Sequence, residues 1–293
     1  VITSVRTMIL LAVMGGALAG CASPEATRAG TAVLPTTPEK SAAASPSPSR
    51  PPESGPPVLA PGPGGLTPVF ERRAAGRDGA AASDKVVALT FDADMTADQG
   101  RRAAGGEHFD NPGLIASLRR LKVPSTVFMT GRWAQEYPDQ ARSIGTDPLF
   151  EIANHSFSHH AFSSPCYGLP AVAAKDMRAD VERAFTAIRR TGARHVVPYF
   201  RFPGGCYDDA SLKALAPTGV TAVQWDVVSG DAFATDADAV AEQVLEGVRP
   251  GSLVVMHCTR SAAPVTDDAL RRIVPGLRER GYRFVKVSEL MRG

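Results

Sequence analysis

An α/β fold built on parallel strands is predicted for this chain, and three observations predict it. From Lys85 onward, short β-rich runs alternate with stretches of helical periodicity, as in strands joined by helical crossovers. The polar motifs Asp92-Ala93-Asp94, His155, Arg201 and His257 each fall at the carboxyl end of a predicted strand. Both α/β barrels and open doubly wound sheets gather their chemistry there. This part of the 293-residue chain is about 210 residues long, ample for one sizeable core.

Val86 to Phe91 is the first strand. Asn111-Pro112 then gives a cap and a first-turn proline, and Leu114, Ile115, Leu118 and Leu121 follow at helical spacing. Ser125 to Met129 is the second strand, and Phe150 to Ala153 the third. Pro170 opens a long helix with Met177, Val181, Ala184, Phe185 and Ile188 on its apolar face, and Thr191-Gly192 ends it. Tyr199 to Phe202 is the fourth strand, Asp208 to Ala216 a short helix, and Thr221 to Trp225 the fifth strand. Thr235 caps a helix running to Val248, which Pro250-Gly251 breaks. Leu253 to Met256 is the sixth strand, a helix near Asp267 to Arg280 carries Pro275, and Arg283 to Val287 is the seventh strand.

The first eighty or so residues do not fit a domain. They are rich in Pro, Ser, Ala and Gly and cannot bury enough apolar surface to offset the entropy of ordering. Arg6 precedes an apolar run, Met8 to Leu18, shorter than the ~20 residues of a membrane span. The run fits a secretory signal, and Leu18-Ala19-Gly20-Cys21 resembles a bacterial lipoprotein signal, cleaved to leave Cys21 lipid-modified. The expected organisation is a signal peptide over 1–21, a disordered tether over 22–82 and one folded domain over 83–293. The expected location is the outer face of the cell membrane through that lipid anchor, or outside the cell. A formal charge of +2 and the lack of a basic stripe argue against nucleic acid as a partner. A monomer is expected. Cys166, Cys206 and Cys258 remain, and an exported protein can pair two of them. Cys166 with Cys206 is the preferred pair, although spacing alone leaves the choice open.

His155 and His159 are four apart, a spacing that puts both imidazoles on one face of a helical turn. Imidazole is a common ligand for zinc and similar metals, and His160 leaves the choice of ligands open. Of Asp92 and Asp94, one could complete a metal site while the other acts as general base on water. Gly204 and Gly205 after Arg201 let backbone approach a ligand closely. A free N–H there could stabilise an oxyanion, while Arg201 could orient a carboxylate. His257 is a candidate general acid, with Asp231 to hold its second nitrogen. Together these residues suggest metal-assisted hydrolysis.

Residues from about 84 to 291 resemble the NodB-type polysaccharide deacetylases, carbohydrate esterase family 4. The stretches that carry the resemblance are Thr90-Phe91-Asp92, Leu121 through Gly131, Asn154-His155-Ser156-Phe157-Ser158-His159, Arg201-Phe202-Pro203-Gly204-Gly205 and Met256-His257, in that order. The resemblance implies a distorted (β/α)7 barrel and metal-dependent removal of N-acetyl groups from a cell-surface polysaccharide, peptidoglycan or a polymer of N-acetylglucosamine. Zinc is the expected metal, with cobalt or another transition metal as alternatives. By position, Asp92 is the expected base, Arg201 its orienting partner, His257 the acid and Asp231 the aspartate that tunes it. His155 and His159 are expected metal ligands, and the Gly204 N–H an oxyanion donor.

Two positions depart from the family pattern. Its first motif reads Thr-Phe-Asp-Asp-Gly, and the second Asp binds the metal. Here that position is Ala93, and Asp94 follows. Asp94 is the favoured ligand. The alternatives are that Asp92 ligates, or that two histidines hold the metal weakly. The usual Asp-Trp is Asp231-Ala232-Phe233, so Phe233 or Trp225 is expected to line the acetyl pocket. Residues 95 to 111 form an enlarged first loop. Two other functions stay open: an O-acetyl esterase of the xylan type, and a glycan-binding module with weakened catalysis.

Overall fold

The computed structural model describes residues 55–74 and 84–292. The expected signal peptide with Cys21, and the expected tether apart from residues 55–74, lie outside the described residues.

Nine strands form one sheet among the described residues: β1 (Val69–Phe70), β2 (Val86–Ala93), β3 (Ser125–Met129), β4 (Phe150–Asn154), β5 (Val196–Phe200), β6 (Thr221–Val223), β7 (Val227–Val228), β8 (Ser252–His257) and β9 (Arg283–Phe284). The order is β1-β6-β5-β4-β3-β2-β8-β7, with β9 also on β2, and every pairing is parallel. β6 and β7 lie near opposite ends of this order, yet only Gln224, Trp225 and Asp226 join them. That link spans at most about 14 Å, so the sheet must curl until its ends nearly meet. The result is the distorted barrel expected, and its strands run longer in number than the seven read from sequence because β1 and β7 are two-residue pieces.

Side-chain alternation along β2 builds two layers. Val87, Leu89, Phe91 and Ala93 face outward and pack with Leu114 and Leu118 of α2 (Pro112–Leu121) and with Leu270, Ile273 and Val274 of α8 (Thr266–Glu279). Val86 and Ala88 face inward with Phe128, Tyr199 and Leu253. Val287 and Leu290 of α9 (Val287–Arg292) join that inner cluster. Each such fully buried large side chain contributes roughly 1.5–3 kcal/mol.

The predicted helices are present with shifted ends. Asn111 caps α2 through the Leu114 N–H (3.1 Å). α6 (Asp209–Leu215) is capped by Asp208. α7 (Ala237–Gly247) is capped by Asp236, one residue beyond the expected Thr235. α5 (Met177–Arg190) starts at Met177 and not at Pro170. The Ala161 N–H bonds the Pro170 carbonyl and the Val172 N–H bonds the Ala161 carbonyl, both at 2.8 Å, so this stretch is committed to a bridge and cannot coil. The fourth and fifth strands stop early, at Phe200 and Val223. The seventh stops at Phe284, because Val287 and Ser288 give their N–H groups to Thr126 (2.9 Å) and the buried Glu151 (3.0 Å) and start α9. Three further helices were not anticipated: α1 (Gln99–Ala104), α3 (Gly131–Glu136) and α4 (Pro138–Gly145).

Residues 55–74 correct the expected tether boundary. The Thr67 hydroxyl bonds the Leu212 carbonyl (2.8 Å), β1 extends the sheet at β6, and the Arg73 N–H reaches the Gly251 carbonyl (2.9 Å) beside β8. The segment therefore bridges the two ends of the curled sheet. Polar runs flanking Val69-Phe70 gave too short an apolar signal for a strand. Gly251 (φ 85°) makes the closure possible, since a Cβ there would lie 2.7 Å from the Arg73 carbonyl oxygen. Gly251→Ala is expected to cost of order 1–3 kcal/mol through the left-handed backbone and that contact, lowering the thermal midpoint by roughly 2–12 °C. A midpoint equal to the parent's in a thermal melt would show that the seam tolerates a side chain.

Candidate active site

The sheet register assembles the site. Asp92 pairs with His257 across β2 and β8, and with Phe128 across β2 and β3. Arg201 follows β5 directly, its N–H bonded to the Asn154 carbonyl (2.8 Å). Its guanidinium is fully buried and gives Nη1 to Asp92 Oδ1 at 2.6 Å. Nε and Nη2 donate to the Val223 (3.2 Å) and Gln224 (3.4 Å) carbonyls, and the guanidinium lies 3.8 Å from the Phe128 ring centroid. Each guanidinium nitrogen thus has a hydrogen-bond acceptor. Burial alone would push the Asp92 carboxyl up. The Arg201 charge, helped by His155 and His257, outweighs it and holds Asp92 below the usual carboxylate range.

His155 and His159 converge, but not through a helix as expected. Ser156 and His159 adopt left-handed backbone (φ 70° and 56°), which folds the loop back and sets the rings 5.1 Å apart. Asn154 enforces this turn: its Oδ1 accepts the Ser156 N–H and its Nδ2 donates to the Val181 carbonyl of α5, both at 2.8 Å. The Ser156 hydroxyl accepts the His159 N–H (2.9 Å), and Asp180 accepts the Phe157 N–H (2.6 Å). His155 Nδ1 donates to the Arg201 carbonyl (2.9 Å), which leaves Nε2 facing the Asp92 Oδ2 at 3.6 Å. Burial pushes His159 down to about 4 against the pull of Asp94, so its imidazole is neutral at neutral pH.

His257 and Asp231 meet as read from the sequence. Asp231 Oδ1 lies 2.8 Å from His257 Nδ1, and its Oδ2 accepts the His257 N–H at 2.7 Å. Ser229 (2.9 Å) and Thr266 (2.7 Å) donate their hydroxyls to the same carboxylate. Burial would lower His257, but Asp231 raises it to about 9. Cys258 is no competing nucleophile, because burial pushes its thiol up to about 12.

Asp94 and His159 line a cleft of about 250 Å³ with Leu169, Phe233, Thr259 and Gln99. Helix α1, inside the enlarged first loop, supplies one wall. Phe233 stands at its edge, 82 % exposed. Trp225 is half-buried, its ring centroid 5.4 Å from the Arg201 guanidinium, and packs against Gly205, whose added Cβ would come within 2.6 Å of the indole. Cys166 and Cys206 form a disulfide (Cα–Cα 6.0 Å) that ties the loop before α5 to the Arg201 loop. Gly204 lies under it with φ 65°, where a Cβ would approach the Cys166 sulfur to 2.7 Å.

The donors suit a divalent metal. They arrive as two pairs, His155 Nε2 with Asp92 Oδ2 (3.6 Å) and His159 Nε2 with Asp94 Oδ2 (3.8 Å). Two ligands at about 2.0–2.1 Å from one tetrahedral ion stand roughly 3.3 Å apart, so either pair is close to ligating separation. Among the described residues, no three or more His, Cys, Asp and Glu stand close enough together to hold a metal ion as placed, so the donors form two separate pairs and not one closed cluster. Thr259, Asn154, Ser156 and Asp180 were not assigned roles from sequence. Asn154 and Ser156 lay inside a quoted motif, whereas nothing local marked Thr259, which acts on Asp94 from 165 positions away.

A parallel barrel with an ionised carboxylate and a protonated imidazole side by side at its strand ends suits a hydrolase. Residues 79–223 match the polysaccharide deacetylase family model. A chitooligosaccharide deacetylase from Sinorhizobium fredii is 31% identical over 181 residues, 58% of this chain and 80% of that protein. A peptidoglycan-N-acetylglucosamine deacetylase from Bacillus cereus is 26% identical over 72% of this chain and 90% of its own. The solved family 4 carbohydrate esterase from Streptomyces lividans superposes with a TM-score of 0.55 at 25% identity, covering 68% of this chain and 91% of that one. The chain belongs to the polysaccharide deacetylase family.

Removing the Asp231 charge should expose its effect on His257. In Asp231→Asn, burial is opposed only by Asp94 and Asp92, and the His257 titration followed by NMR should fall from about 9 toward lower pH. A midpoint still near 9 would assign the shift to another group. The sign for stability follows from linkage. The folded value of about 9 lies above the ordinary 6.5, so the contribution of His257 protonation is complete below pH 6.5 and is lost as pH rises through about 9, while that of the Asp231 carboxylate, held below its ordinary value, is lost only in acid.

Proposed function

We propose that this chain is a hydrolytic deacetylase that removes N-acetyl groups from a cell-surface polysaccharide, peptidoglycan or a polymer of N-acetylglucosamine. The observation that carries the reading is the pairing of Asp92 with His257 on one rung, each with its own buried counter-charge. Asp92, kept ionised by Arg201, takes a proton from the attacking water as the water oxygen bonds the acetyl carbon. His257, kept protonated by Asp231, gives its Nε2 proton to the leaving nitrogen as the C–N bond breaks. Acetate and a free amine result. The Gly204 N–H is the proposed donor to the oxyanion, and Phe233 the proposed apolar wall for the acetyl methyl. Bound zinc, held by Asp94, His155 and His159, would supply Lewis acidity to the carbonyl and the water. Family members generally depend on a divalent metal.

The lipoprotein-type sequence supports attachment at the outer face of the membrane through Cys21. Among the described residues, no helix is long and apolar enough to cross a membrane.

The test is acetate release by the full chain from N-acetylglucosamine oligomers and from acetylated xylan. N-acetylated substrate should be preferred, a chelator should abolish the rate, and zinc or cobalt should restore it. Glycan binding with no metal-dependent acetate release from either substrate would reject the enzyme. Asp92→Asn should lower turnover by roughly 10²–10⁴-fold with metal content near the parent's. Asp94→Asn should instead lose metal, and parent-like content there would remove Asp94 from the ligand set. The pH profile should have its acid limb below the usual Asp value and its alkaline limb near 9, where His257 loses its proton. A descending limb near 6.5 would remove His257 as the acid.

A further inference from the structure

We propose that Thr259 is the positioning residue that makes Asp94 usable as a metal ligand. The inference rests on the Asp94 ligand reading above and adds the origin of that carboxylate's orientation.

Moving a carboxylate one residue along an extended strand shifts it about 3.3 Å and turns it to the other face. Ala93 faces the helix layer and is fully buried there. Asp94 faces the mouth instead, but it lies just past the end of β2, beyond the β2–β3 and β2–β8 registers. Thr259 supplies the hold that the ladder no longer gives. Its hydroxyl accepts the Asp94 N–H at 3.2 Å and donates its proton to Asp94 Oδ1. One hydroxyl thus fixes both the backbone and the carboxylate of the same residue, and the bond to the carboxylate is charge-assisted.

Thr259 is itself rigid. It is 2% exposed, and its carbonyl accepts the N–H groups of Ala262 (3.0 Å) and Ala263 (2.8 Å). Just before it, the Cys258 N–H bonds the Asp92 carbonyl at 2.7 Å, carrying the pairing of β2 with β8 one step further. With Oδ1 engaged, Asp94 presents Oδ2 toward His159 Nε2 at 3.8 Å. The carboxylate therefore offers one oxygen to a cation. Thr259 also stands two residues past His257, so the loop that leaves β8 sets the ligand.

The test compares the full chain with Thr259→Val, Thr259→Ser, Asp94→Asn and the Thr259→Val/Asp94→Asn double variant. Zinc affinity is measured by competition with a chromophoric chelator, and the visible spectrum is recorded after loading with cobalt(II) chloride. Thr259→Val keeps the shape and removes both bonds, and should weaken zinc about 10–100-fold, the usual loss on removing a partner of a ligand, with an altered cobalt spectrum. Thr259→Ser should restore parent affinity and spectrum. The double variant should bind zinc no more weakly than Asp94→Asn alone, because Thr259 acts through Asp94. Parent-like affinity in Thr259→Val, with Asp94→Asn weakened, overturns the role of Thr259 and leaves the ligand reading standing. Loss in Thr259→Ser equal to that in Thr259→Val, or a Thr259→Val chain that does not fold beside a Thr259→Ser chain with weakened binding, also overturns it. Parent-like affinity in Asp94→Asn overturns both.

Discussion

The mouth of the barrel is organised around one buried ion pair. Arg201 is fully buried, and an unpaired guanidinium there would be strongly unfavourable. Its partners come from four places: the Asp92 carboxylate, two carbonyls after and within β6, and the ring of Phe128. This requirement fixes where β2, β3, β5 and the link from β6 to β7 stand relative to one another. It also makes the Arg201 carbonyl available to His155 Nδ1. The pair therefore orients the Asp92 carboxylate and, through the backbone of the same arginine, one imidazole.

A second carboxylate–cation pair, Asp231 with His257, works in the opposite sense. Arg201 stabilises a negative charge on Asp92, and Asp231 stabilises a positive charge on His257. Two groups whose ordinary values lie close together are driven apart, so an ionised carboxylate and a protonated imidazole coexist at neutral pH. Separating acid from base by environment in this way is a general device of active sites. What separates them here is strand geometry: each partner sits at the end of a different strand or loop, so neither counter-charge can serve both.

Much of this was legible in the sequence because it is periodic or local. Strand β3 has the expected bounds, and α2 has the expected asparagine cap, since alternation and capping are short-range signals. His257 was readable because it ends a recognisable strand, whereas Asp231 follows the two-residue β7 and was supported by the family resemblance rather than by a strand signal. Other features depend on tertiary contacts. The histidine loop is not helical, because Asn154, Ser156 and Asp180 hold a left-handed turn that spacing alone cannot reveal. The long helix starts seven residues late, because Ala161 claims the backbone around Pro170. β1 escaped notice because two apolar residues in a polar, proline-rich context carry no period. Thr259 had no local mark, since its partner lies on another strand.

Pairing of β1 with β6 sets an order of events during synthesis. Val69 meets Ala222, and Phe70 meets Val223. The first of these strands must wait until the second has left the ribosome, on the order of ten seconds later at typical elongation rates. During that interval β1 has no partner, and an unpaired strand is of the kind that can recruit another chain. The seam is therefore among the last parts of the barrel to close, and the rung that pairs Asp92 with His257 is completed only after β8 has followed. Early fragments of the chain would carry the histidine loop and the arginine loop without the Asp231–His257 pair, so the strand-end cluster is completed from its amino-terminal members toward His257.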